Sequence, residues 1–260
     1  MRVNVIALQP DIAWENKAAN FAKARQLLQR AAPEKNSLVA LPEMFATGFS
    51  MNSDAIAEPG GGETEQFLSS LAKEFGVTLV AGAAMRGRDG KARNKALVFS
   101  PAGELICFYA KMRPFTPGAE DQHYTAGTKT TVFAWNDCTV SPFICYDLRF
   151  PELFRDAAAR HRPALFVVVA NFPEKRLTHW LRLLQARAIE NQAYVLGANR
   201  VGSDPFYTYG GRSVVIDPQG EIIADAGAAE GFVKAQLDLA NLRKYREGLP
   251  FLDDLKFSAA

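Results

Sequence analysis

Helix-period and strand-period patterns alternate along the whole chain. Arg2 to Gln9 is a short apolar strand, and the next stretch sets Phe21, Ala24, Leu27, Leu28 and Ala31 at helical spacing. Ser37 to Leu41 predicts a strand that stops at Pro42-Glu43. A helix follows through Phe67, Leu68, Leu71 and Phe75, with Gly76 placed to end it, and Val77 to Ala84 returns to strand. Ala96 to Phe99 and Leu105 to Tyr109 flank a Ser-Pro-Ala-Gly-Glu turn, which predicts a hairpin. Further on come a strand from Thr139 to Cys145, a helix from Pro151 to Arg160 opened by its proline, and a β-branched strand from Ala164 to Ala170. A helix from Thr178 to Gln192, strands at Tyr194 to Ala198 and Phe232 to Leu237, and a helix at Asn241 to Gly248 complete the series.

The hairpin punctuation occurs twice. Val214 to Ile216 and Ile222 to Ala224 flank Asp217-Pro218-Gln219-Gly220-Glu221, which repeats the Pro-x-Gly-Glu wording of Pro101 to Glu104. With helices and strands in similar order on both sides, the pattern predicts an α/β chain of two similar halves, each a sheet with outer helices. One doubly wound sheet is the competing arrangement. No flexible linker separates the halves, so residues 1–260 are expected to form a single domain.

Composition narrows the function classes. At 260 residues and 48% hydrophobic content the chain has ample material for a packed core. Thirty Lys and Arg against 28 Asp and Glu leave a formal net charge of +2, with no block of like charges, so nucleic acid is not an expected partner. The longest apolar run, Ala164 to Ala170, is far below the roughly 20 residues of a membrane span, and the first residues carry no export signal. A cytoplasmic, non-membrane protein is expected. Cys107, Cys138 and Cys145 suit neither a disulfide framework nor a C-x-x-C site, and His123, His161 and His179 form no metal-binding pair, so reduced thiols and no metal are expected.

Three polar residues stand directly at strand ends. Cys145 ends an apolar strand and precedes a turn into the helix at Pro151, an elbow that exposes a side chain beside free backbone N-H groups. Taken alone, a cysteine at such a place is more often an inert buried thiol. Glu43 follows Val39-Ala40-Leu41-Pro42, and Lys111 follows the strand ending at Tyr109; each alone reads as a solvated or capping residue.

Together, Leu-Pro-Glu at 41–43, Tyr-Ala-Lys at 109–111 and Cys-Tyr-Asp-Leu-Arg-Phe-Pro-Glu-Leu-Phe at 145–154 resemble the nitrilase superfamily of carbon-nitrogen hydrolases. Asn-Phe-Pro at 171–173, Ala-Arg-Ala-Ile-Glu-Asn at 186–191 and Asn-Arg-Val-Gly at 199–202 extend the resemblance over nearly the whole chain. It implies a four-layer αββα sandwich and a homodimer. It also implies that Glu43, Lys111 and Cys145 form the catalytic triad, with Glu120 as a supporting glutamate. Amide cleavage then needs Glu43 as proton acceptor and donor, Cys145 as nucleophile, and Lys111 with the Tyr146 backbone N-H at the oxyanion, with water as second substrate and no cofactor. His123 or His179 as the base of a cysteine-histidine hydrolase is the competing assignment, and a catalytically silent protein of the same fold is another.

Pro-Glu-Met-Phe-x-Thr-Gly-Phe-Ser at 42–50 and His-Tyr-x-Ala-Gly at 123–127 resemble the omega-amidase branch. That branch implies terminal amides of 2-oxo acids, such as 2-oxoglutaramate and 2-oxosuccinamate. Another amide, a nitrile or a ureido compound handled by the same triad is the runner-up. A substrate carboxylate calls for a cation, and Arg149, Lys175 and Arg176 are the nearby candidates, although Arg149 could instead pair with Glu152. Phe45, Phe49, Phe115, Phe172 and Trp180 adjoin the motifs, so some should wall the site, Phe115 and Phe172 among the substrate contacts. The tail carries Phe251, Leu252, Leu255 and Phe257, which need cover, and residues about 239–260 are a candidate subunit interface.

Overall fold

The computed structural model describes residues 1–255. Its first strand shows how the layers arise. In β1 (Arg2–Gln9), Val3, Val5 and Ala7 belong to one apolar core while Ile6 and Leu8 belong to another, the two-residue alternation of a sheet buried on both faces.

The first half continues through α1 (Lys17–Ala31), β2 (Leu38–Leu41), the short α2 (Ser53–Ile56), α3 (Glu63–Phe75), β3 (Thr78–Arg86), β4 (Ala92–Phe99) and β5 (Leu105–Ala110). Helix α3 ends where expected, on Gly76 at φ +63°. The second half holds the short α4 (Glu120–His123), β6 (Phe133–Trp135), β7 (Cys138–Ile144), α5 (Pro151–His161), β8 (Leu165–Val169), α6 (Leu177–Asn191) and β9 (Tyr194–Ala198). It closes with β10 (Val201–Ser203), β11 (Thr208–Gly210), β12 (Val214–Ile216), β13 (Ile222–Asp225), β14 (Gly231–Asp238) and α7 (Leu239–Gly248).

Two six-stranded sheets result, in the orders β14-β1-β2-β3-β4-β5 and β6-β7-β8-β9-β12-β13. Each has three parallel strands in the middle, β1-β2-β3 or β7-β8-β9, followed by an antiparallel hairpin, β4-β5 or β12-β13. Each is flanked on its other edge by one antiparallel strand, β14 or β6. The halves therefore share one topology, and the single doubly wound sheet is excluded. Residues of both sheets form the inner core, including Val5, Leu38 and Val98 from one and Phe143, Val167 and Leu196 from the other. Helices α1 and α3 cover the outer face of the first sheet, and α5 and α6 that of the second through Phe154, Trp180 and Leu184. This is the four-layer αββα sandwich.

Several boundaries differ from those read in the sequence. Strand β4 starts at Ala92 rather than Ala96, and β7 stops at Ile144 because Cys145 turns to φ +45°. The three-residue β6, β10 and β11 were too short to carry a pattern. In the tail, Leu252 is already buried against its own chain, whereas Phe257 lies outside the described residues. Among the described residues no helix is long and apolar enough to cross a membrane.

Candidate active site

Glu43 follows β2, Lys111 follows β5 and Cys145 follows β7, so two residues come from one sheet and the third from the sheet facing it. The sandwich brings all three strand ends together. Glu43 is held by backbone contacts at close quarters: the Phe45 N-H donates to the Gly82 carbonyl across 3.1 Å, and the Gly82 N-H donates to the Pro42 carbonyl across 3.2 Å. A Cβ at Gly82 would lie 2.4 Å from the Glu43 Cα, so only glycine fits there.

The Lys111 ammonium donates to Glu43 Oε1 at 2.8 Å and to Glu120 Oε2 at 2.7 Å, with all three residues essentially sealed from solvent. Burial alone would lower the lysine, but the negative charges of Glu120 and Glu43 outweigh it and hold the ammonium above its ordinary range. Lys111 is therefore a fixed cation. Asn94 donates to both carboxylates, at 2.7 Å to Glu43 and 2.8 Å to Glu120, and the Phe115 N-H donates to Glu120 at 2.6 Å. On the other side the Asn171 N-H donates to Glu43 Oε2 at 2.9 Å, and its side-chain amide donates to the Glu43 carbonyl at 2.7 Å.

Cys145 opens a 3-10 turn over Cys145–Arg149 in the left-handed region, a conformation that a non-glycine residue adopts only when its surroundings impose it. Asp147 imposes it: its buried carboxylate accepts the Ile144 N-H at 3.1 Å, the Tyr109 hydroxyl at 2.9 Å and the Arg113 N-H at 2.9 Å. Those last two residues flank Lys111, so one aspartate ties the cysteine turn to the lysine strand end. Desolvation raises Asp147 to about 7, against the lowering effect of Lys111 and its donors. The Cys145 thiol is pushed well up by burial and by the Glu43 charge, with Lys111 opposing, so it rests protonated. The thiol makes a long contact of 3.9 Å to the Asn171 carbonyl.

Above Cys145 opens a cavity. Glu43, Cys145 and Asn171 line it, and Phe49, Phe115, Tyr146, Phe172, Tyr207 and Tyr209 wall it. Of the five aromatic residues singled out in the sequence, Phe49, Phe115 and Phe172 reach the cavity, whereas Phe45 lies in the outer core and Trp180 packs behind Phe172 at 5.3 Å between ring centres. Arg149 and Arg176 also line it. Arg149 does not pair with Glu152, which bonds to Arg113 at 3.2 Å; its guanidinium lies instead over Phe172 and 3.3 Å from His179 Nδ1. Lys175 is exposed and outside the cavity. It shares a 3-10 turn, Glu174–Arg176, with Arg176, and three residues per turn send adjacent side chains in different directions. His123 and His179 are both exposed and neither lines the cavity, whereas Glu43 lines it beside Cys145.

The sequence profile of carbon-nitrogen hydrolases matches residues 2–247. The chain belongs to the carbon-nitrogen hydrolase family. Among similar members, 2-oxoglutaramate amidase of Bacillus subtilis is 34% identical over 98% of both chains, and omega-amidase YafV of Escherichia coli is 36% identical over 97% of this chain and 96% of its own. The fold agrees. XC1258 of Xanthomonas campestris, a CN-hydrolase superfamily protein solved with an arsenic adduct in its active site, superposes with a TM-score of 0.93 at 31% identity, covering 100% of this chain and 99% of its own. Nit3 of Saccharomyces cerevisiae, from branch 10 of the nitrilase superfamily, gives 0.85 at 29% identity over 96% and 94%. The resemblance to the nitrilase superfamily and its omega-amidase branch is thereby established.

This carbon-nitrogen hydrolase also gathers residues that the sequence did not single out: Asn94, Asp147, Asn171, Tyr207, Tyr209 and Gly82. Asn94 carried no clear signal, because it sits between Arg93 and Lys95 in a polar stretch and β4 was read as starting only at Ala96. Tyr207 and Tyr209 come from the β10-β11 ribbon, where Asp204 accepts the Phe206 and Tyr207 N-H groups and the Tyr209 hydroxyl.

Proposed function

We propose that this enzyme hydrolyses the terminal carboxamide of 2-oxo dicarboxylic acid monoamides, such as 2-oxoglutaramate and 2-oxosuccinamate, through a thioester on Cys145. One observation carries the substrate class. Arg149 and Arg176 line the cavity that holds Cys145, their guanidiniums lie over its aromatic walls, and among the described residues neither has a carboxylate within 4.0 Å. Two cations without counter-ions fit a substrate whose far end is an anionic 2-oxo acid, with Phe115 and Phe172 packing its short carbon chain. The names of the amidases from Bacillus subtilis and Escherichia coli support the same class.

Glu43 takes the thiol proton as Cys145 attacks the amide carbonyl. The new oxyanion is met by the Lys111 ammonium and by the Tyr146 N-H, one of the leading amides of a 3-10 turn that have no acceptor within it. Glu43 returns the proton to the departing nitrogen, the carbon-nitrogen bond breaks and ammonia leaves. Water then gives a proton to Glu43 and its hydroxide to the acyl carbon; the carbon-sulfur bond breaks, and Glu43 returns the proton to the departing sulfur, which restores the thiol. Because the thiol rests protonated, the base beside it is needed in every turnover. Glu120 holds Lys111 in place.

Ammonia release from 2-oxoglutaramate and 2-oxosuccinamate, measured against glutamine, a nitrile and a carbamoyl amino acid, tests the assignment. The 2-oxo acid amides should give the highest kcat/KM; a faster nitrile or carbamoyl compound would overturn it. A homodimer and the cytoplasm complete the proposal, along with a single domain over residues 1–260. Three free cysteines fit a reducing compartment, and exposed Leu249 and Ile189 fit a subunit contact that light scattering would detect.

A further inference from the structure

Lys111 brings one positive charge to two carboxylates, so the buried group carries a net negative charge whenever Glu43 and Glu120 are both ionised. Such a group is unstable away from water unless donors compensate it. The second set of donors is Asn94, which is buried and gives its side-chain amide to Glu43 and Glu120, residues 51 and 26 positions away. Its backbone carbonyl accepts the Lys111 N-H at 2.9 Å, so Asn94 touches all three segments of the ion cluster. The remaining atom is informative. Asn94 Oδ1 is buried with no hydrogen-bond partner among the described residues, so the site uses the two N-H donors and leaves the acceptor idle. Turning the amide over would aim that oxygen at two carboxylates, which fixes its orientation.

We propose that Asn94 is a positioning residue for the reaction: its amide bridges Glu43 and Glu120 and keeps Glu43 in the proton-accepting form that Cys145 requires. This rests on Glu43 being the base for Cys145. Donors to an ionised carboxylate favour the ionised form, and removing them favours protonation. The other ionisable groups facing the cluster are Lys111, Cys145, Tyr124, Asp147 and, farther out, Glu15. Tyr124 is raised by burial and stays neutral, and Asp147 reaches the cluster through Lys111, so neither replaces the lost donors.

The test is the pH dependence of Cys145 alkylation by iodoacetamide, which needs no knowledge of the physiological amide, in the full-length wild type, Asn94→Leu and Asn94→Asp. Asn94→Leu removes the donors, and Asn94→Asp adds a third carboxylate at nearly the same shape. The acid limb should move to higher pH by about one unit or more in both, further in Asn94→Asp, with an alkylation rate about tenfold lower at a fixed pH on that limb. A rate reduced by the same factor at every pH, with the limb unmoved, would overturn the bridging role and leave Asn94 as packing. Should Asn94→Leu fail to fold by circular dichroism, Asn94→Asp and Asn94→Ser carry the same comparison. Wild-type enzyme that is not alkylated at Cys145 at all would instead overturn the assignment of the nucleophile.

Discussion

Tyr109 donates its hydroxyl to Asp147 across 2.9 Å, and this bond joins the strand that delivers Lys111 to the turn that delivers Cys145. With the Arg113 and Ile144 N-H groups, Asp147 has three donors converging on it. Asp147→Asn keeps the shape but faces one of those donors with an NH2, so turnover should fall about tenfold or more as the two strand ends lose their mutual register.

The same residue makes a prediction about pH. Its folded value, about 7, lies above the ordinary aspartate value of 3.8, so the folded protein holds a proton that the unfolded chain releases. The stability from this group is complete below the lower value and is lost as pH rises through the higher one. Wild-type thermal stability should therefore decline relative to that of Asp147→Asn between those two values. A gap between the two melting curves that stays constant over the window would contradict the assignment.

Gly82→Ala would put a methyl carbon 2.4 Å from the Glu43 Cα and 2.7 Å from the Met44 N. Backbone must shift, and Glu43 shifts with it. Melting should show a loss of about 1–3 kcal/mol, and kcat should drop more than KM rises, because the base moves rather than the substrate pocket.

Lys111→Met removes the cation proposed to meet the oxyanion, at an expected loss of about a hundredfold in kcat. It also leaves Glu43 and Glu120 buried without their shared ammonium, a destabilisation of about 3–5 kcal/mol when one partner of a buried ion pair is lost. Steady-state rates and a denaturant titration read the two effects separately.

Arg149→Ala and Arg176→Ala should each raise KM for 2-oxoglutaramate by about tenfold or more, the worth of a hydrogen bond to a charged group. A neutral short amide should be affected far less. Equal losses on both substrates would assign the arginines to the cavity wall rather than to the carboxylate.

The layers were legible from local signals, and the three strand-end residues from motifs that resemble one family when taken together. Pro-Gly hairpins and apolar strands mark the halves, and Glu43, Lys111 and Cys145 sit one or two residues beyond strands that periodicity already locates. What stayed hidden depends on meetings across the sandwich. Asn94 joins the cluster through partners 51 and 26 positions away, and nothing near Asp147 in sequence announces Tyr109, 38 positions distant. The alternative pairing of Arg149 with Glu152 fails for a similar reason: Glu152 is its neighbour in sequence, but Arg113, from the segment after β5, takes that carboxylate. Lys175 and Arg176 could not be told apart without the turn that separates their directions.

Intact mass spectrometry of the enzyme, quenched in acid after brief exposure to 2-oxoglutaramate, tests the central claim most directly. The account predicts a transient species heavier than the free enzyme by the substrate less ammonia, mapped by peptide digestion to Cys145 and absent from Cys145→Ala. Full turnover by Cys145→Ala, or an acyl group mapped to any other residue, would contradict it.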